Sequence, residues 1–376
     1  MTGMIVVTVL MVVLEGVLMV ATPWLMPPTE CFAVTVPPSA QREPQVRGFK
    51  RTFAGVVMGT TLASALVLGL MMSRLAGVTQ PTDAQVNLMT GVLVAATLIP
   101  IVVGMACMLY FRARVRELKQ AHGWSATTAR AAAVVAEDVP RPISLAWYLL
   151  YLPLVLGMVV FALRSYERFP DQIPMNADLA GNVSQYAAKS LGSVLFPALT
   201  TAFFGLVFAL VHISMLVSKR PVDPAAPSTS SYAYGRFVRL QSQAMLVGGL
   251  VLSAGTGVCF YLTALGGLSL MAAATIMIVV SLVVVAGFMA VSLVTGQAGG
   301  RLAAELRPND EVARDDDAHW PLGVFYCNAD DPSVVVPKRF GVGWTINVAR
   351  PAAWLAMAGL VVLTVAFALL VNWTVG

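Results

Sequence analysis

Three consecutive aspartates, Asp315, Asp316 and Asp317, with His319 two positions on, are the chain's densest group of cation ligands. Carboxylates and an imidazole so placed could collect a cation. Acidic clusters without a fixed ligand spacing are more often solvated or salt-bridged, so no metal site is predicted. His122, His212 and His319 stand apart with no His-Glu-x-x-His, and Cys31, Cys107, Cys259 and Cys327 show no C-x-x-C spacing. No G-x-x-x-x-G-K-[ST] loop is present to cradle a phosphate, and the run Ser253-Ala-Gly-Thr-Gly257 has no base beside it. Val258 follows Gly257 where an intramembrane aspartyl protease would need aspartate. The expectation is a protein that is not an enzyme and has no cofactor. Glu15 is the other residue with chemical potential, because it lies in an otherwise apolar run. A carboxyl group at bilayer depth must be protonated or partnered. It reads either as a proton or cation site or as a hydrogen bond between helices. His212 is the basic titratable side chain nearest that depth, so a Glu15–His212 pair forms if their two helices are neighbours.

The elements that position these residues follow from composition. The 376-residue chain is 58% hydrophobic and 11% charged, which excludes a water-soluble core of this size and marks an integral membrane protein. A spanning helix needs ~20 apolar residues. Eight such runs occur, near 4–25, 53–73, 88–110, 143–163, 191–217, 240–265, 270–296 and 353–373. The fold class is therefore an all-α bundle of eight transmembrane helices in one membrane domain, 1–376, with a small cytoplasmic β-hairpin before the last helix. The first run lacks a basic flank and ends in Pro23-Trp24, so it reads as a retained helix. Gly55, Gly59 and Ala63 in span two, and Gly249, Ser253 and Gly257 in span six, read as packing stripes. Pro100, Pro153 and Pro197 permit kinks in spans three, four and five.

Orientation follows from the basic residues. The connections after spans one, three, five and seven hold 20 of the 24 Lys and Arg; the other side holds Arg74, Arg164, Arg168 and Lys189. The positive-inside rule then places both termini outside the cytoplasm of a bacterial cell membrane. The same asymmetry accounts for the net charge of +5 without nucleic acid as a partner.

Two connections carry most of the information. The cytoplasmic segment 297–351 is predicted to hold a hairpin over 324–336, two valine-rich strands joined by Asn328-Ala-Asp-Asp-Pro-Ser, with Trp320 and Tyr326 as anchors. Gly341 and Gly343 mark a turn or close backbone approach, and Trp344 is placed for headgroup depth. The external segment 164–190 reads as a compact lid, with turns fixed by Pro170, Pro174 and Gly181 and polar groups offered by Asp171, Asn176, Asp178 and Asn182. In the first cytoplasmic connection, Val34 and Val36 alternate about Thr35 as a short strand would; it is either an ordinary connector or packs beside the hairpin. The connection 111–142 reads as a basic helical connector touching anionic lipid.

The pattern Phe169-Pro-x-x-Ile173-Pro174-x-Asn176, continuing to Gly181 and Lys189, resembles the external loop of a bacterial membrane family of unknown function. The same loop occurs in SdpI-like immunity proteins, which protect a cell against its own killing peptide. Where the family usually has His and an aromatic residue, this chain has Asn176 and Ala177. Further on, Asp315-Asp-Asp, Trp320-x-x-Gly323-x-x-Tyr326-x-Asn328, Asp331-Pro332, Lys338-Arg339 and Gly341-x-Gly-Trp344-x-x-Asn347 resemble a second uncharacterised module of longer relatives. Phe32-Ala33-Val34-x-Val36-Pro37 resembles their first loop, with Ala33 where glycine is usual. The resemblance implies a non-enzymatic immunity or envelope-sensing protein with an external peptide ligand and a cytoplasmic or membrane protein partner. Glu15 and the kinked helices suggest instead a transporter or permease subunit.

Overall fold

The computed structural model describes residues 2–75, 78, 82–124, 139–177, 183–224, 226–306 and 315–375. Among them, eight helices are long and apolar enough to cross a membrane, the mark of a multi-pass membrane protein. They are α1 (Thr2–Leu25), α2 (Pro44–Leu75), α3 (Asp83–His122), α4 (Tyr151–Arg164) taken with the 3-10 turn Leu145–Leu150 before it, α5 (Leu191–Leu216), α6 (Pro227–Ala264), α7 (Leu270–Thr295) and, after the short α8 (Gly300–Leu306), α9 (Pro351–Val375). Helices α2, α3 and α6 run well past their apolar runs, because helix continues into polar residues that water can solvate. Local chemistry sets the ends. Thr82 and Gln85 form a capping box at the start of α3, and left-handed Gly123 stops it. Ser190 and Ser193 exchange the same pair of bonds at the start of α5.

Helix α1 packs with α2, α3 and α7, whereas α5 packs with α4, α6 and α9. Close approach depends on small residues at a few points. A Cβ on Gly16 would meet Thr61 on α2 at 2.3 Å, and one on Gly257 would meet Met158 on α4 at 2.2 Å. The stripe on α6 does pack: Gly249 lies against Tyr151 and Phe208, and Ser253 is fully buried. The stripe on α2 does not. Gly55, Gly59 and Ala63 face away from the bundle, and Phe53, Val57, Thr61, Ala65 and Leu68 form the buried face. Phe53, Val57 and Leu68 on that face bury more apolar area than glycine could. Pro153 falls in the first turn of α4, where the 3-10 turn Leu145–Leu150 gives way to α-helix.

Among the described residues, three two-stranded antiparallel sheets decorate the ends of the bundle. Strands β1 (Glu30–Cys31) and β2 (Val34–Thr35) lie between α1 and α2. Strands β3 (Gln172–Ala177) and β4 (Val183–Ala188) join α4 to α5. The lid expected from turns at 164–190 is thus a hairpin, seated on the bundle through buried Phe169 and Ile173. Strands β5 (Val335–Pro337) and β6 (Trp344–Ile346) precede α9.

The third sheet corrects the hairpin expected over 324–336. The valine run is a strand, but its partner is Trp344–Ile346, and the turn between them is built on Gly341 and Gly343, at φ 92° and 102°. The polar run at 328–333 is held by its own side chains. The Asp330 N–H donates to Asn328 Oδ1 at 2.9 Å and the Ser333 N–H to Asp331 Oδ1 at 3.0 Å, local Asx turns that fold the backbone without pairing strands. Tyr326 contributes only a single parallel bridge to Asn347.

Candidate functional site

The connections after α1, α3, α5 and α7 converge into one polar head at one end of the bundle. Its centre is Arg339, buried to within 6% of its side-chain surface. Its guanidinium donates to Asp316 and Asp317, lies 3.5 Å from Glu30 through Nε, and donates to Thr35 Oγ1 at 3.0 Å. The Trp320 ring stacks with it, 5.4 Å from Cζ to centroid. Lys119, from the end of α3, binds Asp315 at 2.6 Å and Asp317 at 2.7 Å. The three aspartates that could have gathered a cation are thus drawn into ion pairs with Arg339 and Lys119. Among the described residues no group of His, Cys, Asp and Glu could hold a metal.

The first connection packs into this head. Its two-residue turn, Phe32-Ala33, has φ 44° and 57°, the left-handed conformation that a tight hairpin demands and that glycine adopts most easily. Burial and two arginines hold it there. Both residues are fully buried, and the Ala33 carbonyl accepts from Arg112 Nη1 and from Arg339 Nη1. Arg112 also donates to the Trp320 carbonyl at 2.9 Å, and Asp317 accepts from the Thr35 N–H and hydroxyl. Arg112 and Lys119 are seven residues apart, so both face the head from one side of α3.

A second knot ties the head to α5. Lys219, just beyond that helix, ion-pairs with Asp331, which also accepts from the Tyr326 hydroxyl at 2.7 Å. The Lys219 N–H donates to the Val335 carbonyl at 2.9 Å. Asn347, fully buried, donates to the Asn328, Asp331 and Ser333 carbonyls and accepts from the Asn328 N–H. Buried Gln297 clamps the β5–β6 turn through the Lys338 carbonyl and both polar groups of Gly343. Trp344 packs on Phe237 at 5.6 Å and donates to Tyr234, so α6 anchors it.

Charge is unevenly shared in this head. Burial pushes the Glu30 carboxyl up to about 8; Arg339 opposes the shift, and Asp316 and Asp317 reinforce it. Asp317 moves the other way, since its burial is outweighed by Arg339, Lys119 and the Thr35 N–H, which hold it at about 2. For Asp331, burial is outweighed by Lys219 and Tyr326, and the carboxyl stays well below its usual range. The signs predict a stability profile. Glu30, raised from 4.5, contributes stability that is full below pH 4.5 and lost as pH rises through about 8. Asp317 contributes stability that is present above 3.8 and lost as pH falls through about 2. Thermal unfolding should therefore show the melting temperature falling between pH 4.5 and 8, and Glu30→Gln should flatten that slope.

At the opposite end of α5, the β3–β4 hairpin carries the other candidate residues. Asn176 donates to Gln185 at 2.6 Å across the strands, and Pro174 pairs with Tyr186. The Lys189 N–H donates to the Asp171 carbonyl at 2.9 Å, and its ammonium lies over the Tyr166 ring at 4.9 Å. Pro170 and Asp171 stand exposed at the hairpin's base. Gly181, Asp178 and Asn182 lie outside the described residues. The helical connector expected over 111–142 is borne by α3 as far as His122, and its part over 125–138 is likewise outside them.

These two features are where known families match. Residues 154–201, most of α4, the hairpin and the first turns of α5, match a domain of unknown function, DUF1648. Residues 329–354 match a family of unknown function, DUF5808. Two parts of the chain are thus similar to uncharacterised families. The second match covers Asp331, β5, β6 and Asn347, while Asp315, Asp316 and Asp317 lie before it. No curated protein and no solved structure matches the chain.

The predicted Glu15–His212 pair is not formed. Their helices belong to different sides of the bundle, His212 Nε2 is bound to the Ile143 carbonyl at 2.9 Å, and Glu15 Oε1 is buried with no partner among the described residues. Glu30, Lys219 and Gln297 carry no sequence signal of their own, Thr35 reads only as a strand position, and Arg112 and Lys119 read only as part of the basic connector over 111–142. Only the seven-residue spacing of Arg112 and Lys119 could have signalled a shared face.

Proposed function

We propose that this chain is a non-enzymatic immunity or envelope-sensing protein of the bacterial cytoplasmic membrane, with both termini outside. The β3–β4 hairpin is its external receiving surface, for a peptide ligand, and the polar head is its cytoplasmic reporter. One observation carries the reading: α5 is a direct strut between the two. At one end the Ser193 hydroxyl donates to the Ala188 carbonyl at 2.9 Å, fastening α5 to β4. At the other, Lys219 fastens it to Val335 and Asp331 of the head. A ligand that shifts the hairpin displaces α5, and the displacement reaches the head through the Lys219–Asp331 pair. The resemblance of 169–189 to SdpI-like immunity proteins and the basic residues beside the head support the same orientation. Leu322 and Phe325, each more than half exposed on the head, are assigned to the protein partner.

The test is survival of a sensitive host challenged with a membrane-active peptide. Cells making the chain should be protected. Replacing 172–188 by a glycine-serine linker, or making Asp331→Ala, should abolish protection with the protein still in the membrane. Protection that survives loss of the hairpin would refute the reading. Proton-dependent uptake into vesicles, lost in Glu15→Gln, would favour a permease subunit instead.

A further inference from the structure

The head encloses a pocket of about 280 Å³, near the lower end of the ~300–1,000 Å³ range of small-ligand sites. Six prolines line it, Pro27, Pro28, Pro38, Pro221, Pro224 and Pro337. Proline has no N–H and a fixed φ, so these parts of the wall are stiff and apolar, while Lys219, Lys338, Arg339 and Gln297 line the rest. Two polar atoms stand out here. The Trp320 indole N–H and Glu30 Oε2 are both buried and have no hydrogen-bond partner among the described residues, and both residues line the pocket. Trp320 is only 4% exposed. An unmet buried donor or acceptor is destabilising by ~1–3 kcal/mol, so two at one pocket ask for a ligand that meets both. Both residues border one guanidinium: Glu30 Oε1 lies 3.5 Å from Arg339 Nε, and the Trp320 ring centroid lies 5.4 Å from its Cζ.

The ligand must bring an acceptor to Trp320 and a donor to Glu30. A carboxylate would meet the indole but bring no donor to Glu30, and it would repel Asp316. An ammonium would meet the acids and leave the indole unmet. A trans secondary amide carries C=O and N–H on one rigid plane, pointing in opposite directions, and it is neutral. We propose that this pocket binds a small, apolar amide of the capped-peptide type, its carbonyl accepting from the Trp320 N–H and its N–H donating to the Glu30 carboxyl. The apolar side chain then rests on the prolines. Binding here requires nothing of the hairpin's role.

The probe is N-acetylleucine amide, titrated into the full chain in nanodiscs and followed by saturation-transfer NMR. Saturable binding at millimolar concentration or tighter is expected, with N-acetylleucine, the free acid, weaker. Trp320→Phe keeps a ring and removes the donor, and Glu30→Leu removes the acceptor; each should weaken binding about tenfold, the worth of one hydrogen bond. Glu30→Gln, which keeps an acceptor oxygen, should bind as wild type does. Ala304→Trp fills the pocket from α8 and should abolish binding while leaving Trp320 and Glu30 in place. No saturable binding to the wild-type chain, or binding unchanged in both Trp320→Phe and Ala304→Trp, would overturn the assignment.

Discussion

Replacing Arg339 with leucine should destabilise the head by about 3–5 kcal/mol, the usual consequence of removing one partner from a buried ion-pair network. The size follows from what the guanidinium does at once. It stands among three carboxylates, donates to Thr35 and the Ala33 carbonyl, and covers the Trp320 ring. Without it, Glu30, Asp316 and Asp317 keep their burial and lose their shared cation. Limited proteolysis should then cut within 315–350 at concentrations the wild-type chain resists. Arg339→Lys should recover little, because an ammonium cannot present a planar fork to several acceptors. Adding Asp316→Asn to Arg339→Leu should recover part of the loss by removing a largely buried carboxylate that has lost its ion pair with Arg339. Proteolysis of Arg339→Leu at the wild-type rate would show that the ion pairs do not hold the head.

Gly323→Ala should cost about 2–5 kcal/mol, combining a left-handed penalty of ~1–2 with overpacking of ~1–3. Gly323 has φ 74°, and a Cβ there would lie 2.7 Å from Arg112 Nη1 and 2.8 Å from both the Ala33 Cβ and Met108 Cε. Arg112 and Met108 end in flexible groups, but Ala33 cannot yield, because its turn is already held at positive φ by burial and by Arg112. Gly341→Ala is the control. It shares the positive φ yet has open space around its Cβ position, so only the conformational penalty, ~1–2 kcal/mol, applies. Chemical denaturation of both variants in one detergent gives the comparison; equal losses would mean that Gly323 is needed for its backbone alone.

The bundle was legible because lipid imposes a simple rule, about 20 apolar residues per span, and the eight runs obey it. What lay beyond the hydrocarbon was less so. Hydropathy cannot show where α2, α3 and α6 continue as polar helix, and those extensions bring Arg112 and Lys119 into the head. The valine run at 334–336 did mark a strand. Its partner was misplaced because Asn328 to Ser333 contains strong turn formers, yet those side chains fold back on their own backbone and leave the reversal to Gly341 and Gly343. Ala33, where relatives usually carry glycine, is a further example. From sequence it is a plain departure; in the structure it is a left-handed residue whose strain two arginines hold. Glu30 and Gln297 gave no signal, since one charge and one amide in ordinary connections look solvated until distant segments close over them.

The most direct test asks on which side of the membrane the hairpin and the head stand. Cys327 is exposed on the head and native to the chain, so the head needs no new label site. Tyr186 is 53% exposed on β4, and Tyr186→Cys places a thiol on the hairpin. Intact cells treated with a membrane-impermeant maleimide, with Cys327→Ala as the control for the remaining thiols, should be labelled at position 186 and not at Cys327. Cys327 should react only after permeabilisation. Labelling of Cys327 from outside, or protection of position 186 in intact cells, would contradict an external hairpin that reports to a cytoplasmic head.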